Sequence, residues 1–412
     1  MTTLSDSTGL LNETEEETEN GAFDEMEIIR RMNNDKAVLL IPAITYTVIL
    51  MVIGVIGNPL AIYIYGFRWE KTTLKYFLLS LAIIDLVNCV ITMPTEIAML
   101  RNFYYFSNAK ICKMSRFTTY VMNNASSAIF LVIAVDRYIK ICKPYTKPMS
   151  VRASKVACCV ALFAGVSVSW PAVVMYDRID VPIRTNVTGA VCGVHPQEHY
   201  KPYLLAFFIY LWVAFSLIGV VISVLYILIY RAILTRKKSK LRLSGRSEDA
   251  LKRIRSETSS HNDAGSTATP KDGPETWKIR SYTSNDDAEH QMPADYSLSK
   301  FSNGSRRNTS KTKWDSLRFR PGRSTVMLFA ITVVYVLTFL PFLIVTIIRT
   351  HVGASFYSSL TKGEEVAVNI FLRSYLVNNC ANPIVYGFCN VQFRQECKQL
   401  FKRVCCRKQD NP

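Results

Sequence analysis

Seven long apolar segments constrain this 412-residue chain more than any other feature of its sequence. Each is long enough for an α-helix that crosses a membrane, which takes about 20 residues. Helices that are apolar on all faces for this length are rare in soluble proteins, which argues against buried helices of a large soluble domain. The chain is therefore predicted to be an all-α membrane protein, a seven-transmembrane helix bundle. The predicted spans are Val38–Tyr65, Tyr76–Leu100, Phe117–Ile141, Lys155–Tyr176, Tyr203–Tyr230, Ser324–Ile348 and Val366–Phe388.

The distribution of charge predicts the orientation of these spans. The formal net charge is +17, yet only 20% of the residues are charged and 49% are hydrophobic, which argues against a nucleic-acid partner. Residues 1–36 contain ten acidic and three basic residues, whereas residues 231–323 contain 21 basic and 11 acidic residues. Because basic loops stay in the cytoplasm, we predict a multi-pass plasma-membrane protein with its N-terminus outside and its tail inside.

Composition divides the chain into five predicted regions. The loop between spans five and six is rich in Ser, Thr, Asn, Asp and Lys, and such a segment cannot bury enough apolar surface to order itself. The regions are an extracellular acidic segment (1–36), transmembrane helices one to five with their loops (37–233), a disordered basic third cytoplasmic loop (234–323), transmembrane helices six and seven (324–388), and helix 8 with the cytoplasmic tail (389–412).

The start of the tail has the pattern of a short amphipathic helix. Phe393, Cys397 and Phe401 recur on one helical face, and basic residues flank that face. Such a helix lies on the inner leaflet and contacts membrane lipid. It ends at Cys405 and Cys406, where palmitoylation is expected.

The longest predicted outer loop has the pattern of a β-hairpin. The β-prone segments Val181–Arg184 and Ala190–Val194 flank a turn expected near residues 186–189. Asn12 and Asn186 begin Asn-X-Thr sequences on the predicted outer side, where glycosylation can occur.

Most of the eleven cysteines lie in predicted spans or on the reducing cytoplasmic side. Cys112, at the outer end of span three, and Cys192, in the outer loop, face the oxidising compartment. They are the pair for which we predict a disulfide bond. The cysteine and histidine spacings do not match a metal site.

Polar residues inside the spans are costly in a membrane and therefore point to function. Asp85 lies in the middle of span two, and Asn58 lies in span one. Asp136-Arg137-Tyr138 ends span three, Pro341 interrupts span six, and the sequence Asn382-Pro383-Ile384-Val385-Tyr386 lies near the inner end of span seven. This ordered set resembles the class A (rhodopsin-like) family of G-protein-coupled receptors, over all seven spans and the short final helix.

The resemblance implies a mechanism for the cytoplasmic side. Asp136 would hold Arg137 at rest, and Arg137 would move toward Tyr226 and Tyr386 as span six swings outward. Pro341 and Phe339, the latter in place of the family's usual Trp, would belong to this transmission path. The implied partners are a heterotrimeric G protein, arrestin and receptor kinases, and no enzymatic activity is expected.

The resemblance also implies an allosteric sodium site, with no other cofactor. Asp85, Ser126, Asn378 and Asn382 match the family positions that hold Na⁺ in the resting bundle. A buried carboxylate among amides and hydroxyls is either paired with a cation or protonated. An ion bound only in the resting state would bias the receptor toward that state.

The outer half of the bundle predicts the ligand class. Amine receptors carry Asp where this chain has Thr119, and opsins carry Lys where it has Leu376, so amines and retinal are disfavoured. The polar and charged residues in this region suit the termini or charged side chains of an extracellular peptide, which predicts a neuropeptide-type receptor. The alternative is that Glu96 forms a purely structural ion pair with Arg116 or Arg373. The predicted ligand-pocket residues are Glu96, Arg116, Thr119, Asn123, Phe342 and Arg373.

Two other functions remain open at this point. The first is a class A receptor for a non-amine small molecule or a lipid, which would favour a more apolar pocket. The second, a seven-span transporter or membrane enzyme, is disfavoured because the chain shows neither inverted repeats nor a catalytic cluster.

Overall fold

The computed structural model describes most of the predicted bundle. The described residues are 25–184, 187–194, 199, 201–260, 323–352, 356–357 and 359–406. The predicted glycosylation sites Asn12 and Asn186 lie outside these ranges, as do residues 261–322 of the predicted third cytoplasmic loop and the last residues of the tail.

The described chain is mainly helical. A first helix, α1, covers residues 25–39. It is followed by α2 (Ile41–Tyr63), α3 (Thr73–Val87), α4 (Met93–Arg101), α5 (Ala109–Cys142), α6 (Val151–Ser169), α7 (Pro171–Met175), the strands β1 (Tyr176–Arg184) and β2 (Val187–Val194), α8 (Lys201–Ser260), α9 (Arg323–Val352), α10 (Lys362–Phe371), α11 (Leu376–Cys389) and α12 (Val391–Cys406). Short π-helical turns follow α2, at Ile64–Arg68, and α3, at Asn88–Thr92.

Five helical stretches among the described residues are long and apolar enough to cross a membrane: Ile41–Arg68, Thr73–Arg101, Val151–Met175, Pro202–Ser239 and Ser324–Val352. They correspond to predicted spans one, two, four, five and six. Predicted span three is the 34-residue helix α5, and predicted span seven is divided between α10 and α11, which have 10 and 14 residues. These two spans carry many of the buried polar side chains, including Thr119, Ser126, Asn378 and Asn382.

The boundaries of several helices follow from local chemistry. Thr72, Asn108 and Ser150 precede α3, α5 and α6, and each side-chain oxygen accepts a hydrogen bond from a backbone N–H of the first turn. Thr361 and Glu364 form a reciprocal capping box at the start of α10. These bonds satisfy donors that a helix leaves unpaired at its N-terminus, and so they fix where each helix begins.

The apolar side chains separate into an interior and an outer surface. Phe77, Phe130 and Tyr335 are buried in one continuous core shared by the spanning helices. In contrast, α8 exposes a stripe of apolar side chains at helical spacing, consisting of Ile209, Val213, Leu217, Val220 and Val224. Such a stripe suits contact with lipid tails, because water is absent from that part of a membrane.

The outer loop forms the predicted hairpin, with a corrected turn. β1 pairs antiparallel with β2, and Arg184 lies opposite Val187, so residues 187–189 belong to the second strand. Gly189, which was expected in the turn, is paired with Val181. The β-branched residues Val187 and Thr188 favour an extended strand, which explains the difference.

The predicted disulfide bond between Cys112 and Cys192 is confirmed. The two Cα atoms are 5.6 Å apart, and the bond ties β2 to the beginning of α5. The hairpin is therefore held directly over the ends of the helices.

The fifth span continues much further than the sequence predicted. The disordered loop was expected to begin at residue 234, but α8 extends to Ser260. This extension lacks Pro and is rich in Lys, Arg and Leu, which favour helix even where they cannot build a core. Residues Leu234–Arg320 form a compact unit distinct from the unit of Met1–Ile233 and Pro321–Pro412.

The predicted helix 8 is α12. Phe393 is buried, and its ring lies 5.7 Å from the rings of Tyr65 and Tyr386. Arg68, at the end of the first span, pairs with Glu396 at 2.9 Å. These contacts fix α12 against the first and last spans, and Cys405 and Cys406 are its final residues.

Candidate functional site

A cavity of about 630 Å³ lies between the helices and reaches the β-hairpin. Its lining comes from α1, α4, α5, α8, α9 and the segment that contains α10 and α11, together with residues from both strands. The cavity brings together all the residues that the sequence predicted for a ligand pocket. These are Glu96, Arg116, Thr119, Asn123, Phe342 and Arg373.

A buried ion group forms one side of this cavity. Glu96 on α4 accepts hydrogen bonds from Arg116 on α5 and, at 2.9 Å, from Arg373. The Glu96 side chain is only 2% exposed. The sequence left open whether Glu96 pairs with one arginine or the other. It pairs with both, and all three residues also line the cavity.

The polar contacts around this group are mostly satisfied within the bundle. Thr119 donates to the Ser115 carbonyl at 2.8 Å, and the hydroxyls of Ser115 and Thr95 lie 2.6 Å apart. The contact between Ser115 and Thr95 connects α5 to α4. Among the described residues, the Asn123 side-chain oxygen is buried without a partner, so it is an acceptor available to a ligand donor.

The cavity also contains charged residues that sequence reasoning missed. Lys36 on α1 forms an ion pair with Glu365 on α10, and Arg349 on α9 lies 5.5 Å from the Tyr357 ring centroid. The sequence placed Lys36 at the end of the extracellular acidic segment and gave it no role in ligand binding. A signal was nevertheless present, since the buried residues of the first helix (Ile29, Asn33, Ala37 and Leu40) are spaced at helical intervals.

α1 is attached to its surroundings by specific hydrogen bonds. The Asn33 side chain donates to the Arg101 carbonyl at 3.1 Å and accepts from the Tyr104 amide at 3.0 Å. These bonds hold α1 against the end of α4. Lys36 is therefore fixed at the edge of the cavity, in a region that the sequence did not assign to the site.

The four residues of the predicted sodium site are all buried in the interior of the protein. Asp85 is fully buried and accepts a hydrogen bond from Asn382 at 2.7 Å. Among the described residues, five polar atoms of this group are buried without a hydrogen-bond partner. They are Asp85 Oδ1, Ser126 Oγ, Asn378 Oδ1, Asn378 Nδ2 and Asn382 Oδ1.

These unpartnered atoms fit a small hard cation. Four of the five are oxygens, the ligand type that such cations prefer. Asp85 supplies a negative charge in a region where an uncompensated charge is costly. The donor set of Asp85, Ser126, Asn378 and Asn382 could therefore hold Na⁺.

The C-terminal end of α5 carries a second ion group. The buried Asp136 carboxylate lies 2.8 Å from Arg137 and 3.0 Å from Lys140. Lys140 also donates to the Thr73 hydroxyl at 2.5 Å, which links α5 to α3. Tyr138, the third residue of the motif, lies under the Lys143 ammonium at 6.0 Å. Arg137 is thus held by Asp136, as in the resting arrangement that the resemblance implies.

The two tyrosines of the predicted activation path have other neighbours in this structure. The Tyr226 hydroxyl lies 3.3 Å from Thr332, and Tyr386 packs edge-to-face against Tyr65 at 5.3 Å. The Tyr386 hydroxyl is buried and has no partner among the described residues. Pro383 lies within the same helix, one turn before Tyr386.

Phe339 connects the cavity to the core below it. It lines the cavity and contacts the rings of Tyr335, at 4.9 Å, and Tyr375, at 6.1 Å. Tyr335 in turn lies 2.5 Å from the Ser127 hydroxyl. Pro341 follows inside α9. A ligand that displaces Phe339 would therefore disturb α9 next to its proline.

Comparison with known proteins identifies the family. The family model described as "7 transmembrane receptor (rhodopsin family)" matches residues 57–386. Bovine G-protein coupled receptor 84 is 22% identical over 395 residues, covering 88% of this chain and 92% of that protein. Human cholecystokinin receptor type A is 26% identical over 378 residues, covering 87% and 79%. The tachykinin-like peptides receptor 99D of Drosophila melanogaster is 25% identical over 150 residues, covering 35% and 28%.

The family match spans most of the chain, including the ion group of Asp136, the sodium-type cluster around Asp85 and the disulfide-linked hairpin. Membership of this family makes the chain a receptor and not an enzyme, and it implies coupling to a heterotrimeric G protein. The chain is a multi-pass membrane receptor and belongs to the rhodopsin family of G-protein-coupled receptors.

Proposed function

We propose that this receptor is activated by an extracellular peptide that binds in the cavity beneath the β-hairpin. The observation that carries the proposal is the buried group of Glu96, Arg116 and Arg373 in the cavity wall. A peptide supplies charged termini, charged side chains and amide groups that match such a polar wall. Two of the relatives, the cholecystokinin and tachykinin-like peptides receptors, are named for peptides.

The proposed transmission begins at Phe339. This ring lines the cavity and packs against the Tyr335 ring, so ligand contact there can shift α9 relative to its neighbours. Outward movement of α9 would separate Tyr226 from Thr332 and free Arg137 from Asp136. Arg137 would then approach Tyr226 and Tyr386, and the opened cytoplasmic end would admit a G-protein helix.

Sodium would act in the opposite direction. Na⁺ held by Asp85, Ser126, Asn378 and Asn382 stabilises the packed arrangement of α3, α5 and α11. If the ion binds the packed, resting state more tightly than the active state, it lowers the population of the active state. The size of that shift is set by the difference between the two affinities. The five unpartnered atoms of this cluster support the assignment.

A second candidate is a receptor for a non-amine small molecule or a lipid. It is favoured by the apolar wall opposite the ion group, where Phe208, Leu211, Phe215, Phe342 and Leu343 line the same cavity. An apolar chain would fit that wall, with a polar head near the arginines.

The experiment that tests the proposal is a screen of secreted peptides on receptor-expressing cells, with calcium and cAMP readouts. The Arg373→Gln variant should lose potency for the active peptide, because Arg373 lines the cavity while Glu96 keeps Arg116 as a partner. Lys113→Gln is the matched control, since Lys113 pairs with Asp177 and does not line the cavity. Unchanged potency in Arg373→Gln, with surface expression intact, would contradict the pocket assignment. Activation by lipids alone would favour the second candidate.

The cellular setting is proposed from the sequence and the family. The receptor would lie in the plasma membrane with its N-terminus outside, glycosylated at Asn12 and Asn186. Palmitoylation of Cys405 and Cys406 would anchor the end of α12 to membrane lipid. Arrestin and receptor kinases would act on the cytoplasmic side.

A further inference from the structure

The charged side chains that line the cavity do not balance. Within the described chain, four lining residues are basic and two are acidic, so the lining carries 4 − 2 = +2. Lys36 and Glu365 neutralise each other as an ion pair. The remaining charges are Glu96 against Arg116, Arg349 and Arg373. The cavity is therefore electropositive.

The excess charge beside Glu96 is held in place by the protein. Arg373 donates through Nη1 to the backbone and side-chain oxygens of Asn369, at 3.0 and 3.1 Å, and through Nη2 to Glu96. Its side chain is 10% exposed. One carboxylate cannot neutralise two guanidinium groups, and a buried charge without compensation is unfavourable. An anion placed in the cavity would supply that compensation.

The hydrogen bonding of the two arginines is incomplete as well. Among the described residues, the Nε–H groups of Arg116 and Arg373 are buried without partners. Arg116 Nη2 faces the sulfur of Met99 at 3.1 Å, and a thioether is a weak acceptor. The Arg116 side chain is 21% exposed, so its guanidinium reaches the cavity. The pair has more donors than the protein supplies acceptors.

We infer that the activating ligand carries a carboxylate that binds at Arg116 and Arg373. A carboxylate presents two oxygens that match the fork of a guanidinium group, and it removes the excess charge. The inference rests on the proposed ligand site, but it does not depend on the ligand being a peptide. A peptide C-terminus, an acidic side chain and a fatty acid share this chemistry.

The test uses two panels of matched probes on receptor-expressing cells. One contains secreted peptides as free acids, as C-terminal amides and with each acidic residue replaced by its amide; the other contains medium- and long-chain fatty acids with their methyl esters. The active acid should be about 10- to 100-fold more potent than its neutral counterpart, as expected when a hydrogen bond to a charged group is lost.

Variants assign that difference to the two arginines. In Arg373→Gln the potency ratio of acid to neutral probe should fall toward one, whereas Lys113→Gln should keep the wild-type ratio. Arg116→Gln provides a second test if Arg373→Gln does not reach the surface, because Glu96 then retains Arg373. An equal ratio in both arginine variants and wild type would overturn the inference.

The outcomes separate this inference from the proposed function. A peptide that requires its carboxylate supports both. A fatty acid that is active while its ester is not supports carboxylate recognition and overturns the peptide proposal. A peptide that is equally active with its carboxylates neutralised supports the peptide proposal and overturns the inference. The lack of a response in both panels would count against both.

Discussion

Asp85 and Glu96 lie in the same predicted span, and both carboxylates are buried, but their surroundings differ. Glu96 faces the cavity and has an arginine on each of its oxygens. Asp85 lies deeper in the interior and has one neutral partner, Asn382, while its second oxygen has none among the described residues. The first region therefore has excess positive charge, whereas the second has a carboxylate oxygen that is available to a cation.

This difference would allow one bundle to hold two ligands of opposite charge. We propose that the two arginines around Glu96 bind an anion and that the oxygens of Asp85 and its polar neighbours bind a cation. Because both carboxylates are buried, each charge acts more strongly than it would at a surface. The contrast can be tested by changing each region separately.

The largest expected effect is on Glu96. Glu96→Gln leaves Arg116 and Arg373 buried without their counter-charge, which should lower the free energy of unfolding by about 3–5 kcal/mol. The measurement is the thermal unfolding of the purified receptor. The double variant Glu96→Gln with Arg373→Gln should recover part of the loss, since one excess charge is removed. If the single variant is as stable as Lys113→Gln, the ion group has no structural role.

The next effect concerns sodium and Asp85. Wild-type receptor should gain about 1.4 kcal/mol at a sodium concentration about ten times the dissociation constant, relative to potassium at equal ionic strength. Asp85→Asn should abolish this gain, because it removes the charge that faces the cation. Glu96→Gln is the informative control, since it should unfold at a lower temperature yet keep its sodium response. A sodium response that persists in Asp85→Asn would rule out the site.

A smaller effect is expected at Ser126, which would supply one neutral oxygen to the ion. Ser126→Ala should remove about 1 kcal/mol of the sodium-dependent stabilisation, equivalent to an about fivefold weaker affinity. The neighbouring Ser127→Ala serves as the control, because Ser127 bonds to Tyr335 and is not part of the cluster. Equal sodium titrations for the two variants would remove Ser126 from the site.

The smallest change in stability is expected at Arg137. Asp136 also pairs with Lys140, so Arg137→Ala leaves the carboxylate compensated and should alter the free energy of unfolding by about 1 kcal/mol or less. Agonist-stimulated nucleotide exchange on the G protein should nevertheless be lost. Lys140→Ala, which leaves the Asp136–Arg137 pair intact, should retain signalling. Normal exchange in Arg137→Ala would contradict the proposed mechanism.

The sequence predicted the parts of this protein that depend on local composition. Long apolar segments require membrane spans, loop charge sets their orientation, and topology left Cys112 and Cys192 as the disulfide pair. The interior polar residues were also visible as candidates, because a polar group in an apolar segment stands out. The structure then placed the six predicted pocket residues on a single cavity.

Other features were not accessible because they depend on distant partners. Most of α1 was assigned to the extracellular acidic segment, because that segment is polar. One face of α1 is nevertheless buried, and this depends on hydrogen bonds to the end of α4, which is distant in the sequence. The length of α8 was underestimated because its polar C-terminal part cannot form a hydrophobic core. A segment of that composition can still continue an existing helix, as residues 234–260 do. Lys36, Arg349 and Glu365 come from three separate helices, and their common cavity exists only after folding.

The sequence by itself therefore determined the bundle and the identity of the buried charges, and it predicted the orientation of the bundle. Only the tertiary structure decided the balance of those charges. Hydrophobicity acts on each segment independently and can be read along the chain, whereas electrostatic compensation depends on distances between side chains on different helices. That is why Glu96 and Asp85 look alike in the sequence, while one lies between two arginines in an electropositive cavity and the other bonds to an uncharged amide in the interior.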